Sequence, residues 1–334
     1  MKLKTVKINI LTPFHDETFM RQLPESLKEE GFIFHENCRD DEDWDLVVVY
    51  EGIKDIKKIK CKQGGFVFIS GEPPMSRRYS TKFLNQFDHL ITSHPQIQHP
   101  NNHLTQQALP WHFGLSYHTK QFNYTFDDLL KMPPPVKTKK ISFITSNKQM
   151  MPGHKHRMTF LDAINKEFGE LIDIYGQGIK LIDDKAEALL SYQFNICIEN
   201  STINNYWTEK LADPFLAYSV PLYSGCKNID KYFNLNSLVK IDVSQIIQSL
   251  NTIDTILKSA ETIYSEKLPQ LIIERNKLLK EYNLFNLLSN FYNDNIQNQA
   301  QMVNNTVLRP SEYFPDHILK MNVLRLKRYI YRYF

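Results

Sequence analysis

A chain of 334 residues, 42% hydrophobic and 23% charged, can bury a sizeable core, and at ~100–200 residues per domain it predicts two domains. Its 40 Lys and Arg against 37 Asp and Glu leave a net charge of +3, and no broad basic stripe with interleaved aromatics runs through the body of the chain, so no nucleic-acid partner is expected. The four cysteines, Cys38, Cys61, Cys197 and Cys226, lack metal-ligand spacing and read as buried or partly buried free thiols.

In chain order, residues 6–11 read as a first strand and 18–30 as a helix, and Leu46-Val47-Val48-Val49-Tyr50 reads as a strand buried on both faces. Residues 66–69 and 89–92 read as further strands of the same kind, separated by short helical stretches. Met132-Pro133-Pro134-Pro135 and the lysine-rich stretch after it mark a boundary, because a proline run favours extended backbone and ends helices. Beyond it come a strand over 141–145, a helix over 157–168 and a strand over 172–176. These elements predict an α/β protein with Rossmann-like domains over 1–133 and 140–290 and a C-terminal helical segment over 291–334. The first residues lack the apolar core of a secretion signal and no ~18-residue apolar run occurs, so a cytoplasmic location is expected.

The densest chemistry lies between residues 194 and 225. The apolar run 194–198 reads as a buried strand, and Glu199-Asn200-Ser201-Thr202 turns the chain out of it. Thr208 is placed to cap a helix whose apolar positions Leu211, Phe215 and Leu216 follow at helical spacing. Lys210 then stands in the first turn, where the helix dipole disfavours a cation, which suggests an anion nearby. A second strand over 220–223 ends in Ser224-Gly225. On these features alone, an ordinary βαβ unit and an anion-binding site remain open.

Glu199-Asn200 with Tyr206, Thr208-Glu209-Lys210, Val220-Pro221 and Gly225 resembles the signature of the family 10 glycosyltransferases, the α-1,3/4-fucosyltransferases, especially bacterial members. Upstream, Phe68-Ile69-Ser70-Gly71-Glu72 resembles the family segment bearing the acceptor-side glutamate. Ser146-Asn147 with Arg157 resembles its donor-side loop and phosphate-binding arginine. The resemblance spans residues 66–242, with two departures: Pro73-Pro74 follows Glu72 where many members are polar, and Trp207 stands where a small aliphatic residue is common.

The resemblance implies the GT-B arrangement, two Rossmann-like domains facing a cleft, the first taking the acceptor and the second the nucleotide-sugar donor. It implies inverting transfer of L-fucose from GDP-fucose to a hydroxyl of a bacterial surface glycan such as an O-antigen, in α-1,3 or α-1,4 linkage, with no cofactor and no essential metal. Glu72 is the candidate general base, since a sugar hydroxyl is a poor nucleophile and a positioned carboxylate takes its proton in the transition state. Arg157 and Lys210 are candidates for receiving the charge that grows on the leaving diphosphate, with Asn147 adding hydrogen bonds. Glu199, Asn200, Tyr206, Thr208 and Glu209 complete the donor pocket. For Glu209 a contact to ribose or sugar hydroxyls, a part in the transition state and a helix-dipole role all stay open. A transferase for another nucleotide sugar and a non-catalytic glycan-binding protein on a degenerate transferase fold are the alternative readings.

Two further patterns carry expectations. The acidic clusters Asp40-Asp41-Glu42-Asp43 and Asp183-Asp184 raise the question of a metal, and the first, leading into Trp44-Asp45-Leu46, reads as a solvated loop rather than a set of metal ligands. Near the C-terminus, Leu319, Val323, Leu326, Ile330 and Tyr333 share a helical face flanked by Lys320, Arg325, Lys327, Arg328 and Arg332. Such a helix suits the surface of an anionic membrane, or equally packs on the protein as a last helix.

Overall fold

The computed structural model describes residues 5–14, 19–38, 42–145, 152–298, 302–314, 319, 321–323 and 326, apart from the side chains of 152–155. The described residues form two compact units, 5–109 with 281–326, and 110–280. The change of unit falls between Leu109 and Pro110, ahead of the proline run that the sequence offers as a linker.

The first unit contains β1 (Val6–Leu11), β2 (Phe32–Glu36), β3 (Asp43–Trp44), β4 (Leu46–Tyr50), β5 (Lys57–Lys62), β6 (Phe66–Ile69), β7 (His89–Thr92) and β8 (Asn102–Leu104). Six of these form one parallel sheet in the order β2-β1-β4-β6-β7-β8. Every residue of β4, β6 and β7 is buried, as continuous apolar runs in a sheet covered on both faces require. The helix expected over 18–30 is shorter. Only α1 (Glu25–Glu29) is α-helical, with a 3-10 turn at Met20–Gln22, because Pro24 supplies no N–H and restricts Leu23 to extended backbone. Thr18 lies outside the described residues. A second short helix, α2 (Thr81–Leu84), precedes β7.

The second unit is built on β9 (Lys139–Ile144), β10 (Ile172–Tyr175), β11 (Tyr192–Ile198), β12 (Val220–Ser224) and β13 (Val239–Lys240). They form a parallel sheet in the order β10-β9-β11-β12-β13. Its helices are α3 (Phe126–Lys131), α4 (Pro152–Phe168), α5 (Glu209–Leu216), α6 (Ile246–Lys258) and α7 (Ala260–Glu281). The chain leaves β9 for β10 on one side and returns to β11 on the other, so β9 and β11 flank a topological switch point. Crevices open at such points beyond the carboxyl ends of the strands.

After α7 the chain rejoins the first unit through α8 (Leu284–Asn295), whose Leu284, Phe285, Leu288, Phe291 and Tyr292 enter the same core as Ile8, Ile10 and Val48. Asn283 caps α8 by accepting the Phe285 N–H at 2.8 Å and donates to the Gln22 carbonyl at 2.6 Å. Where the sequence suggests helix throughout, β14 (Val303–Leu308) follows as a strand, antiparallel to β5 in a three-stranded sheet, β14-β5-β3. Lys320, Arg325, Lys327, Arg328 and Arg332 of the terminal segment lie outside the described residues. Among the described residues no helix is long and apolar enough to cross a membrane.

Candidate functional site

In the second unit a cavity of about 370 Å³ opens at the switch point. Ile144 and Thr145 at the end of β9, Cys197 and Ile198 at the end of β11, Arg157 of α4 and the first turn of α5 line it. Thr145 Oγ1 is buried there with no hydrogen-bond partner among the described residues. A buried hydroxyl in a cavity with nothing to bond is a group that a ligand would satisfy.

The first turn of α5 is set by one carboxylate. Glu199, buried at the end of β11, accepts the Thr208 N–H at 2.8 Å and the Thr208 hydroxyl at 2.9 Å. Thr208 in turn caps α5, its Oγ1 accepting the Lys210 N–H at 3.2 Å. Burial raises the Glu199 carboxyl to about 7, against the lowering effect of Lys210 and the Thr208 bonds. Gly225 has to be glycine, because a Cβ there would overlap Glu199 Cγ and the Tyr223 hydroxyl.

Along the cavity wall charges alternate. Lys210 Nζ stands 3.9 Å from Glu199 Oε2 and 3.2 Å from Glu209 Oε1, and Lys185 Nζ stands 3.6 Å from Glu209 Oε1 and 2.7 Å from Asp213 Oδ2. Burial pushes the Glu209 carboxyl up, but Lys210 and Lys185 outweigh it and hold the group well below the usual carboxylate range. Both lysines stay charged in spite of burial because their carboxylate neighbours raise them. The anion that a lysine in the first turn of α5 calls for is therefore supplied in part by the protein itself.

Of the residues singled out in the sequence, Arg157, Asn200, Glu209 and Lys210 line the cavity together. Arg157 Nη1 donates to Asn200 Oδ1 at 3.1 Å, so the arginine is aimed by the residue after the β11 carboxylate. Glu199 and Thr208 stand behind the wall and position it. Tyr206 is buried and does not line the cavity. Asn147 lies outside the described residues. Trp207 is buried with its ring 5.2 Å from that of Phe233 in an edge contact, so the departure from the family pattern is taken up by packing.

Sequence reasoning missed Lys185, Asp213, His112 and Tyr117, which also line the cavity. Asp213 Oδ1 accepts the N–H groups of His112 and Phe113 at 2.9 and 3.0 Å. Asp183 accepts the Ser116 hydroxyl and the His118 N–H, both at 2.6 Å, and Asp184 accepts the Gly114 N–H at 2.9 Å. This acidic pair is thus an anchor for the segment carrying His112 and Tyr117. In the other acidic cluster Glu42 pairs with Lys7 at 2.5 Å, while Asp40 and Asp41 lie outside the described residues. Among the described residues no group of three or more His, Cys, Asp or Glu is placed to hold a metal ion. Among the described residues the cysteines form no disulfide, and Cys61, Cys197 and Cys226 are buried.

Glu72 belongs to the first unit, two residues beyond Ser70 at the end of β6, with its side chain exposed. Its backbone is tied on both sides: the N–H donates to Glu51 Oε1 at 2.6 Å, and the carbonyl accepts from His94 Nε2 at 2.7 Å and from the Ser70 hydroxyl at 3.1 Å. Glu51 is held by the Tyr79 hydroxyl at 3.0 Å and by Arg77 at 3.5 Å. Burial lowers His94 to about 4, so the imidazole is neutral near pH 7. An exposed carboxylate on so constrained a backbone is suited to proton transfer from a bound hydroxyl.

Residues 134–268 match the family model "Glycosyltransferase family 10 (fucosyltransferase) C-term". The chain is 33% identical over 112 residues to the α-(1,3)-fucosyltransferase of Helicobacter pylori, a match that covers 32% of this chain and 22% of that protein. It is 25% identical over 228 residues to a putative fucosyltransferase of Acanthamoeba polyphaga mimivirus, covering 59% of this chain and 33% of the relative. The chain therefore spans a third or less of the length of these two curated relatives. Among solved structures it is similar to an α1,3-fucosyltransferase with GDP, at TM-score 0.54 and 18% identity over 90% of this chain and 93% of that one. The corresponding structure with GDP-fucose has TM-score 0.50 at 19% identity, covering 89% and 91%. At these identities the likeness establishes the fold, and the GT-B class expected from the sequence holds. The family model falls on the unit that contains the cavity, so over residues 134–268 the chain is similar to glycosyltransferase family 10.

Proposed function

We propose that the protein is an inverting, metal-independent fucosyltransferase that moves L-fucose from GDP-fucose to a hydroxyl of a bacterial surface glycan. The observation that carries this reading is the cavity wall, where Arg157 and Lys210 stand with Asn200 and Glu209 at the N-terminal end of α5. Fixed cations and a helix N-terminus stabilise the charge that develops on a leaving diphosphate, and they do so without a metal. Both relatives named above are called fucosyltransferases, and one solved neighbour was crystallised with GDP-fucose, which favours GDP-fucose over other donors.

In this reading Glu72 takes the proton of the attacking hydroxyl as the bond from C1 of fucose to the diphosphate breaks, and Arg157 and Lys210 receive the departing GDP. Displacement in one step inverts the anomeric centre, so the β-linked donor yields an α-linked product, in 1,3 or 1,4 linkage. We place the reaction in the cytoplasm, at the inner face of the membrane where anionic lipid meets the basic C-terminal segment. Leu319, Val323 and Leu326, on the apolar face of that segment, are exposed, which supports a surface role.

The test is a donor panel of GDP-fucose, GDP-mannose and UDP-sugars, read by hydrolysis and by transfer to short oligosaccharide acceptors. Turnover confined to GDP-fucose is the expected result. Turnover of another donor moves the assignment to that sugar, and binding of glycan without turnover of any donor overturns the enzymatic reading.

A further inference from the structure

Glu209 Oε1 is shared between two ammonium groups that are not equivalent. Lys210 stands on α5 with 28% of its side chain exposed, and Lys185 approaches from a 3-10 turn, Lys185–Ala188, that precedes β11, with 11% exposed. A diphosphate entering the cavity meets the more open ammonium first and competes with Glu209 for its three N–H donors. Lys185 has a fixed anchor. It donates to Asp213 Oδ2 at 2.7 Å, while Asp213 Oδ1 holds the N–H groups of His112 and Phe113.

The groups that face Glu209 are Lys210, Thr208 and Glu199 on one side, Lys185 and Asp213 on the other, with His112 and Tyr117. With Lys210 drawn to phosphate, Lys185 is the lysine left to balance the Glu209 charge. An ionised carboxylate offers acceptors to a pair of donor hydroxyls, whereas a protonated one gives up part of that capacity. We propose that Lys185 is a positioning residue for donor binding: anchored on Asp213, it keeps Glu209 in place and ionised when Lys210 turns to the diphosphate. The inference rests on reading the cavity as a nucleotide-sugar site.

The experiment compares the parent, Lys185→Arg and the double variant Lys185→Met with Asp213→Asn. The paired change removes both members of the buried ion pair and retains the amide oxygen that accepts from His112 and Phe113. Two quantities are measured: kcat and KM for GDP-fucose from about pH 5 to about pH 8, and the titration of the Glu209 carboxyl by carbon-13 NMR in the unliganded protein, with Glu209→Gln identifying the signal.

In the double variant the expected outcome is a KM raised by ~10-fold, as for loss of a charge-assisted hydrogen bond. The acid limb of kcat/KM should move to higher pH, and the Glu209 titration should rise by ~1 unit or more. Lys185→Arg should restore both. A Glu209 titration like the parent's, or a uniform loss at every pH that arginine does not rescue, overturns the proposal. If the parent neither binds GDP nor turns over GDP-fucose, the functional reading fails, and the carboxyl titration still decides whether Lys185 holds Glu209 ionised.

Discussion

Glu199 accepts both the backbone N–H and the hydroxyl of Thr208, at 2.8 and 2.9 Å, so the carboxylate that ends β11 and the residue that caps α5 act as one unit. The end of the strand thereby fixes where the helix begins, and with it the direction of Lys210 and Glu209. Thr208→Ala removes the cap, which costs ~1 kcal/mol, and leaves a buried carboxylate short of a partner, which costs ~1–3 kcal/mol more. Urea denaturation should show a lower midpoint, with Thr208→Ser close to the parent. An unchanged midpoint in Thr208→Ala would separate the cap from the stability of the domain.

Stability should carry a pH signature from Glu199. Its carboxyl is raised from 4.5 to about 7 in the folded protein, chiefly by burial, so folding favours the protonated form. The stability it contributes is complete below about 4.5 and is lost as pH rises through about 7. Glu199→Gln abolishes this slope. Between about pH 5 and about pH 8 the parent should lose stability relative to the variant by on the order of 3 kcal/mol, read from denaturation curves at each pH. Curves that run parallel for the two proteins would show that Glu199 does not titrate in this window.

What the sequence revealed and what it concealed follow from the range of the interactions. Strands at residues 46–50, 66–69 and 89–92 were legible to the residue, because strands buried on both faces appear as unbroken apolar runs. The Thr208 cap and the cavity-lining Arg157, Asn200, Glu209 and Lys210 were legible because short-range caps and a spaced motif carry them. Lys185 and Asp213 were not: they lie 28 residues apart, and Asp213 meets His112 across 101, with no periodicity to betray the pairing. The anchoring role of Asp183-Asp184 was hidden because a carboxylate that accepts backbone N–H groups is indistinguishable in sequence from one in water. The return of α8 to the first unit was equally hidden, since Asn283 bonds Gln22 across 261 residues.

Glu72→Gln should keep the fold and the affinity for GDP but lose turnover by ~10²–10⁴-fold, because the amide preserves shape and cannot take a proton. The loss should fall on kcat rather than on donor binding. The backbone bonds to Glu51, Ser70 and His94 involve none of the Glu72 carboxylate atoms, so the melting temperature should stay near that of the parent. Near-normal turnover in the folded variant would remove Glu72 as the base.

Arg157→Ala and Lys210→Ala each take positive charge from the cavity wall, and both should weaken GDP binding in calorimetry by ~10-fold or more. Arg157→Ala also frees Asn200 Oδ1, so its effect should exceed that of Arg157→Lys, which keeps the charge but not the planar donor geometry. Chelators should leave turnover unchanged. A variant that binds GDP like the parent places its residue outside the diphosphate site, and turnover abolished by a chelator and restored by a divalent cation rejects the metal-independent reading.

Deleting residues 316–334 separates the two readings of the C-terminal segment. Leu319, Val323 and Leu326 are exposed, at spacings that put them on one helical face, and Lys320, Arg325, Lys327, Arg328 and Arg332 lie among them in sequence. If that face meets anionic lipid, the truncation should keep its activity on short soluble acceptors and lose co-sedimentation with phosphatidylserine or phosphatidylglycerol vesicles. Each basic residue near such a surface contributes ~1 kcal/mol, so removing five of them with the apolar stripe should bring vesicle binding close to background. Salt should weaken the parent in the same direction, since the attraction is screened within a Debye length of ~10 Å at 0.1 M. A last helix that closes the core predicts the reverse: an insoluble or thermally destabilised truncation, and a full-length parent that does not sediment with vesicles at any salt. That pattern assigns the segment to folding.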